Sequence, residues 1–230
     1  MHVLLVGPDL EENLSLRYLA ASLRAGGHQA TIARFETMDD FHGVIAQARA
    51  ADLIGLSLCY QVRAAEFLCL ARTLKEQAPS RLVVAGGHYA SCAARELLEH
   101  HSELDVIVVH EAERTLVELA DLGELGAERL RTVQGLVYRE GAELVATPPR
   151  EILRDLDTLP WPDRSGPARL LAGVPSAYMM GSRGCLGACR PAAHRTAFQL
   201  LSGGDLFGYA PRAADDPGRA SPRRLPGTDL

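Results

Sequence analysis

Two cysteines close together are the first sign of chemistry in this chain. Cys185 and Cys189 stand in the string Gly181-Ser182-Arg183-Gly184-Cys185-Leu186-Gly187-Ala188-Cys189. Three thiolates spaced C-x3-C-x2-C on a loop can bind three irons of a four-iron four-sulfur cluster, leaving the fourth iron open to a small chelating ligand. The first two positions are filled here, but the third is Ala192. Two thiolates cannot hold such a cluster firmly. The pair therefore also reads as loop thiols, or as a fragment of a zinc site whose other ligands are absent. The other cysteines, Cys59, Cys69 and Cys92, complete an odd and sparse set that does not suggest a disulfide framework. Cys69 falls in a helical apolar pattern, and Cys92 has no evident paired base, so both read as structural.

A second group of candidates sits where apolar runs end. Leu82-Val83-Val84-Ala85 stops at Gly86-Gly87-His88-Tyr89, and Leu53-Ile54-Gly55-Leu56-Ser57-Leu58 stops at Cys59-Tyr60. A third run, Leu104 to Val109, leads into His110-Glu111-Ala112-Glu113. Two adjacent glycines let a backbone turn sharply and let a large ligand approach without a Cβ in the way. Each residue also has an ordinary alternative. Ser57 reads as a helix N-cap or a satisfied strand end, and His88 as an exposed loop histidine. Glu111 and Glu113 read as helix-start carboxylates that complement the dipole. His100-His101 reads as a solvated helix end.

The elements that must position these residues follow from periodicity. Apolar runs are expected as strands at His2 to Gly7, Gln29 to Phe35, Asp52 to Leu58, Leu82 to Ala85 and Leu104 to Val109. Helical spacing recurs between them, as in Leu16, Leu19, Ala20 and Leu23, which Gly26-Gly27 ends. Five β-α repeats predict an α/β fold with a doubly wound, Rossmann- or flavodoxin-like, five-stranded parallel sheet. Right-handed crossovers put every strand-to-helix loop on one rim, where ligands of open α/β sheets bind. Beyond about Arg131 the period changes. Val133 to Arg139 and Ala142 to Ala146 around Glu140-Gly141 predict a β-hairpin, Leu156 to Asp163 a proline-punctuated linker, and Ala177 to Met180 one short strand. Arg190 to Leu230 is rich in Arg, Pro, Gly, Ala and Asp and is expected to be irregular.

The chain has 230 residues, 47% of them hydrophobic, and a net charge of -5. That suffices for one domain with a real core plus an appendage. Mild acidity argues against nonspecific nucleic-acid binding. No apolar run approaches the ~20 residues of a membrane span. Met1 leads straight into a strand with no signal-peptide pattern, so a cytoplasmic location is expected. No protein partner is legible.

Over residues 1 to 189 the chain resembles the cobalamin-binding-domain radical S-adenosylmethionine proteins. The resemblance is carried by Gly55-Leu56-Ser57, Ala85-Gly86-Gly87-His88, Glu111-Ala112-Glu113, Gly135-Leu136-Val137-Tyr138-Arg139, Asp155-Leu156-Asp157-Thr158-Leu159-Pro160-Trp161-Pro162-Asp163 and Ser182-Arg183-Gly184-Cys185. It implies a cobalamin-binding domain over 1–130, hairpin and linker over 131–165, the start of a radical barrel over 166–189, and an irregular tail over 190–230. It implies that cobalamin inserts its nucleotide tail between the sheet rim and the helices. Ser57 would bond a benzimidazole nitrogen, Gly86 and Gly87 would allow approach, and Cys59, Tyr60, His88, Tyr89, Glu111 and Glu113 would line the site. Cys185 and Cys189 become the cluster ligands, with the cluster and S-adenosylmethionine as cofactors of the parent family.

Two departures bear on this. The Asp-x-His-x-x-Gly motif of methionine-synthase-type domains is absent, and neither His88 nor His110 fits it, so histidine ligation of cobalt is not expected. The barrel stops after its first strand, and Ala192 replaces the third thiol. The chain is therefore expected to be catalytically incomplete, its arginine- and proline-rich tail resembling a shifted reading frame of GC-rich DNA. The alternative is a cofactor-free flavodoxin-like scaffold or regulatory domain. A phospho-acceptor version needs an Asp where Ser57-Leu58-Cys59 stands, and a dinucleotide version needs G-x-G-x-x-G where Gly7-Pro8-Asp9-Leu10-Glu11-Glu12 stands.

Overall fold

The computed structural model describes residues 1–10, 12–123, 126–166, 169–180 and 183. Five strands, β1 (His2–Gly7), β2 (Gln29–Arg34), β3 (Leu53–Ser57), β4 (Leu82–Gly86) and β5 (Val106–Val108), pair in parallel in the order β2-β1-β3-β4-β5. The connecting helices are α1 (Leu14–Ala25), α2 (Phe41–Ala48), α3 (Ala64–Gln77), α4 (His88–Cys92) and α5 (Ala94–His100). After β5 come α6 (Glu113–Asp121) and the short α7 (Ala127–Leu130). The expected doubly wound sheet is present, and its strand order reverses between β1 and β3, the switch point of such sheets.

Alternation along the strands builds two separate cores. Leu4, Val6, Ile54, Leu56, Val83, Ala85 and Ile107 pack with α2, α3 and α5 on one face. Val3, Leu5, Leu53, Val84, Val106 and Val108 pack with α1 and α6 on the other. Both faces are covered, so the strands read as nearly continuous apolar runs rather than alternating ones.

The expected hairpin forms from β6 (Leu136–Glu140) and β7 (Glu143–Ala146), but it does not stand apart from the sheet. β6 pairs antiparallel with β5, Val108 opposite Leu136, and makes a seven-stranded mixed sheet. Tyr138 of β6 is fully buried in the α1/α6 core, which gives the hairpin its reason to dock. The helix expected from Cys92 begins earlier, at His88, and breaks at Ala93 before resuming. Ala177 to Met180 forms no strand. The chain instead makes a small hairpin just before it, β8 (Arg169–Leu171) and β9 (Val174–Ser176). Its two-residue turn has Ala172 at φ 50° and Gly173 at φ 80°, the left-handed pair that tight hairpins require. Among the described residues, no helix is long and apolar enough to cross a membrane.

Candidate functional site

The carboxyl ends of the parallel strands bring four of the sequence-predicted loops together. On the α1/α6 face they lay down a row of small residues. Ser57 stands opposite Gly86 in register, Gly55 is two residues below Ser57, and Gly7 is so close that an added Cβ would lie 2.9 Å from Ser57 Cβ. Gly55, Ser57 and Gly86 keep partial solvent exposure although they lie on inner strands. Their neighbours facing the other helical layer, Ile54, Leu56 and Ala85, are buried, so the opening lies on the α1/α6 side.

The two flanking helices converge away from the rim. An added Cβ on Gly26, at the end of α1, would lie 2.6 Å from Val117 Cγ1, and His28 Nε2 is 3.0 Å from Asp121 Oδ1. Toward the rim this leaves Gly55, Ser57 and Gly86 as a slot beside α1 and α6, while Leu16 Cδ1 of α1 packs over the buried Gly7, 3.2 Å from an added Cβ. Ser57 Oγ has Cys59 Sγ as its partner at 3.4 Å. A thiol is a weak hydrogen-bonding partner, so the hydroxyl is free to exchange it for a nitrogen or oxygen acceptor.

Around the slot the rim is apolar and exposed. Leu10 is 64%, Tyr60 66% and Val62 89% exposed, with Met38 beside them in the loops that follow β1, β2 and β3. Polar anchors hold these loops. Glu36 Oε2 accepts from the amides of Asp9 and Leu10 at 3.1 and 3.0 Å, tying the loop after β1 to that after β2. Asp9 is buried and takes Arg17 Nη2 at 2.6 Å. The Arg63 guanidinium lies 5.6 and 5.4 Å from the ring centroids of Phe35 and Phe67, and donates to Glu66 and to the Phe35 carbonyl. These contacts aim Tyr60 and Val62 outward.

The two adjacent glycines divide their tasks. Gly86 is on the slot floor. Gly87 has φ 104°, and an added Cβ would lie 2.9 Å from the Leu58 carbonyl oxygen and 3.0 Å from Cys59 Sγ. Its freedom serves the turn and the close approach of the chain's own backbone. His88 is exposed on α4, and Tyr89 is half-buried against the α2/α3 core, where burial and Glu96 push its hydroxyl pKa up. Cys59 touches Ser57, Tyr60 is on the rim, and Cys69, expected as a small core residue, is instead exposed on α3. Glu111 and Glu113 both bind Arg183, at 3.2 and 2.6 Å. Burial pulls the Arg183 pKa down, but Glu113 and Glu111 outweigh it and leave the guanidinium raised. Cys185 and Cys189 lie outside the described residues. Among the described residues, no group of three His, Cys, Asp or Glu is placed to hold a metal.

Several residues at the rim were not singled out from the sequence. Gly7 and Gly55 could have been, because strand alternation puts them on the same face as Ser57 and Gly86. Pro8-Asp9 is expected on the rim as the loop after the first strand, whereas Leu10, Met38 and Glu36 carry no such signal, since their grouping needs the sheet. His110 is held at φ 67°, and its amide donates to Ser91 Oγ at 3.0 Å. It lines a cavity of about 30 Å³ with Ser91, Arg95, Gly135, Thr147 and Pro149, too small for more than a water. Burial lowers its imidazole pKa below 6.5, with Glu111 pulling the other way. The unfolded chain therefore takes up this proton first as pH falls. Stability should drop from pH 6.5 downward until the folded imidazole also protonates. Urea unfolding of His110→Asn, a residue that tolerates the left-handed backbone, should show a shallower loss over that window. An unchanged profile would remove His110 as the cause.

A model of one protein family, described as the B12 binding domain, matches residues 3–120. The anaerobic magnesium-protoporphyrin IX monomethyl ester cyclase of Cereibacter sphaeroides is 38% identical over 86 residues, 36% of this chain and 14% of that protein. An uncharacterized methyltransferase of Pyrococcus horikoshii is 28% identical over 179 residues, 75% of this chain and 38% of the relative. The hopanoid C-3 methylase of Methylococcus capsulatus is 34% identical over 105 residues, 44% of this chain and 20% of that protein. The chain thus spans well under half the length of each. The cobalamin-dependent S-adenosylmethionine radical enzyme OxsB, solved with aqua-cobalamin bound, superposes with a TM-score of 0.53 at 22% identity, over 66% of this chain and 22% of that one. At that identity the likeness speaks for the fold.

Proposed function

Because the chain belongs to the B12 binding domain family, we propose that it is the cobalamin-binding module of a cobalamin-dependent radical S-adenosylmethionine enzyme. The observation that carries the reading is the slot. Three small, partly exposed residues, Gly55, Ser57 and Gly86, floor it at the switch point of the sheet. A flat heterocycle on the nucleotide tail fits over a floor of such small residues, and the Ser57 hydroxyl offers its base a hydrogen bond in place of Cys59. The apolar rim of Leu10, Met38, Tyr60 and Val62 provides a surface for the corrin ring. Bound cobalamin supplies an organometallic cobalt centre. The chain's part is to bind the tail, orient the ring and exclude water beneath it.

The sequence divides on this reading into a cobalamin domain over 1–130, hairpin and linker over 131–165, and the start of a second domain over 166–189. The four-iron four-sulfur cluster and S-adenosylmethionine belong to the whole parent enzyme, with Cys185 and Cys189 as two of its cluster ligands. The location is cytoplasmic, in keeping with the free thiols of Cys59, Cys69 and Cys92.

Titration of the purified chain with aquacobalamin, followed by the corrin absorption bands, should saturate at one equivalent with micromolar affinity. No spectral change and no retention at high micromolar cobalamin would overturn the proposal and favour the cofactor-free scaffold.

A further inference from the structure

The turn after β5 is part of the rim, yet its two carboxylates are occupied by the chain itself. Arg183 Nη1 donates to Glu111 Oε1 at 3.2 Å, and Nη2 to Glu113 Oε1 at 2.6 Å. Glu111 Oε2 accepts from the Leu153 amide at 2.8 Å. The Glu113 side chain is only 8% exposed, so an unpaired charge there would be costly. One guanidinium across two carboxylates fixes direction as well as distance.

Described residues between Arg150 and Arg183 are strapped over α1 and α6 in the same manner. Arg150 binds Thr115 and Glu118. Asp163 takes Arg24 at 2.7 Å and donates its amide to the Arg17 carbonyl. Glu12 accepts from Arg164 Nε at 3.0 Å and from the Tyr178 amide at 2.7 Å. Apolar burial contributes little: Trp161 is 83% exposed.

We propose that Glu111 and Glu113 are positioning residues: they clamp Arg183, and with it the described strap that precedes it, to the rim of the α/β domain. The clamp itself rests on contacts within the chain. That the rim it serves is a corrinoid rim rests on the function proposed above. Glu111 and Glu113 are accordingly assigned to the strap and not to direct contact with the cofactor.

Hydrogen exchange of the full chain without cofactor tests the clamp. Glu113→Gln and Arg183→Gln should each speed exchange about tenfold over residues 150–155 and 178–183. The double variant should be no faster than the faster single one, and Arg183→Lys should restore part of the protection. Unchanged exchange in Arg183→Gln, or strictly additive effects, would overturn the clamp. A second arm uses cobalamin. Trp161 is the single tryptophan and lies on the strap, so energy transfer to the corrin reports how near the strap sits to the rim. Glu113→Gln should weaken that quenching while leaving the affinity from the corrin bands within about twofold. Lost affinity with unchanged exchange would instead make the glutamates ligand contacts and sink the proposal. If the unaltered chain binds no cobalamin, the function fails, and the exchange arm still decides the clamp.

Discussion

Replacing Gly87 by alanine should lower the free energy of unfolding by about 3 kcal/mol. Gly87 sits at φ 104°, ψ 177°, a region essentially closed to residues with a Cβ. The added carbon would also press on the Leu58 carbonyl oxygen and Cys59 Sγ. The turn cannot easily move aside. The Leu58 amide donates to the Gly86 carbonyl at 2.7 Å, and the Ala90 amide donates to the Leu58 carbonyl at 3.1 Å, which holds both sides of the contact. Urea unfolding is the measurement. A loss below about 1 kcal/mol would mean that the turn relaxes and that Gly87 is not required by the fold.

Gly86, one residue earlier, should behave in the opposite way. An added Cβ there meets only the Val108 carbonyl oxygen at 3.6 Å and Val108 Cβ at 3.9 Å, both ordinary contacts. Gly86→Ala should therefore unfold within about 0.5 kcal/mol of the unaltered chain. Gly86→Leu should keep the fold and fill the slot beside α1 and α6. Cobalamin affinity should fall by about a hundredfold, near 2.7 kcal/mol. Ser57→Ala serves as the second variant, removing the hydroxyl without adding bulk, and should cost about tenfold. If Gly86→Leu folds and binds cobalamin as well as the unaltered chain does, the slot is not the tail site.

The glycine pair shows how the site was readable in type but not in role. Sequence alone marks Gly86-Gly87 as a place where something comes close. It cannot say that Gly87 makes room for the backbone at Leu58 while Gly86 leaves open space on the sheet, because φ and the direction of a missing Cβ are properties of the folded backbone. The same holds for Glu111 and Glu113. Their position at a helix start was legible, but their partner Arg183 lies 72 and 70 residues away. No local pattern encodes that distance.

What the sequence by itself determined is the fivefold alternation of strand and helix. β1 occupies His2–Gly7, as its apolar run predicts, and Asn13 caps α1 by accepting from the Leu16 amide. Local periodicity and capping suffice for such elements, since their hydrogen bonds and buried faces repeat within a few residues. Resemblance over residues 1 to 189 supplied the family, on motifs whose order was readable without any fold. Tertiary structure alone decided how distant segments meet. It set β6 antiparallel beside β5, because burying Tyr138 in the α1/α6 core outweighs leaving the hairpin free. It made a late hairpin of β8 and β9, where Ala172 and Gly173 can take left-handed angles, and left the single strand expected at Ala177 to Met180 unformed. It also gathered Gly55, Ser57 and Gly86 into one floor, because parallel register aligns residues that the chain separates by a whole helix.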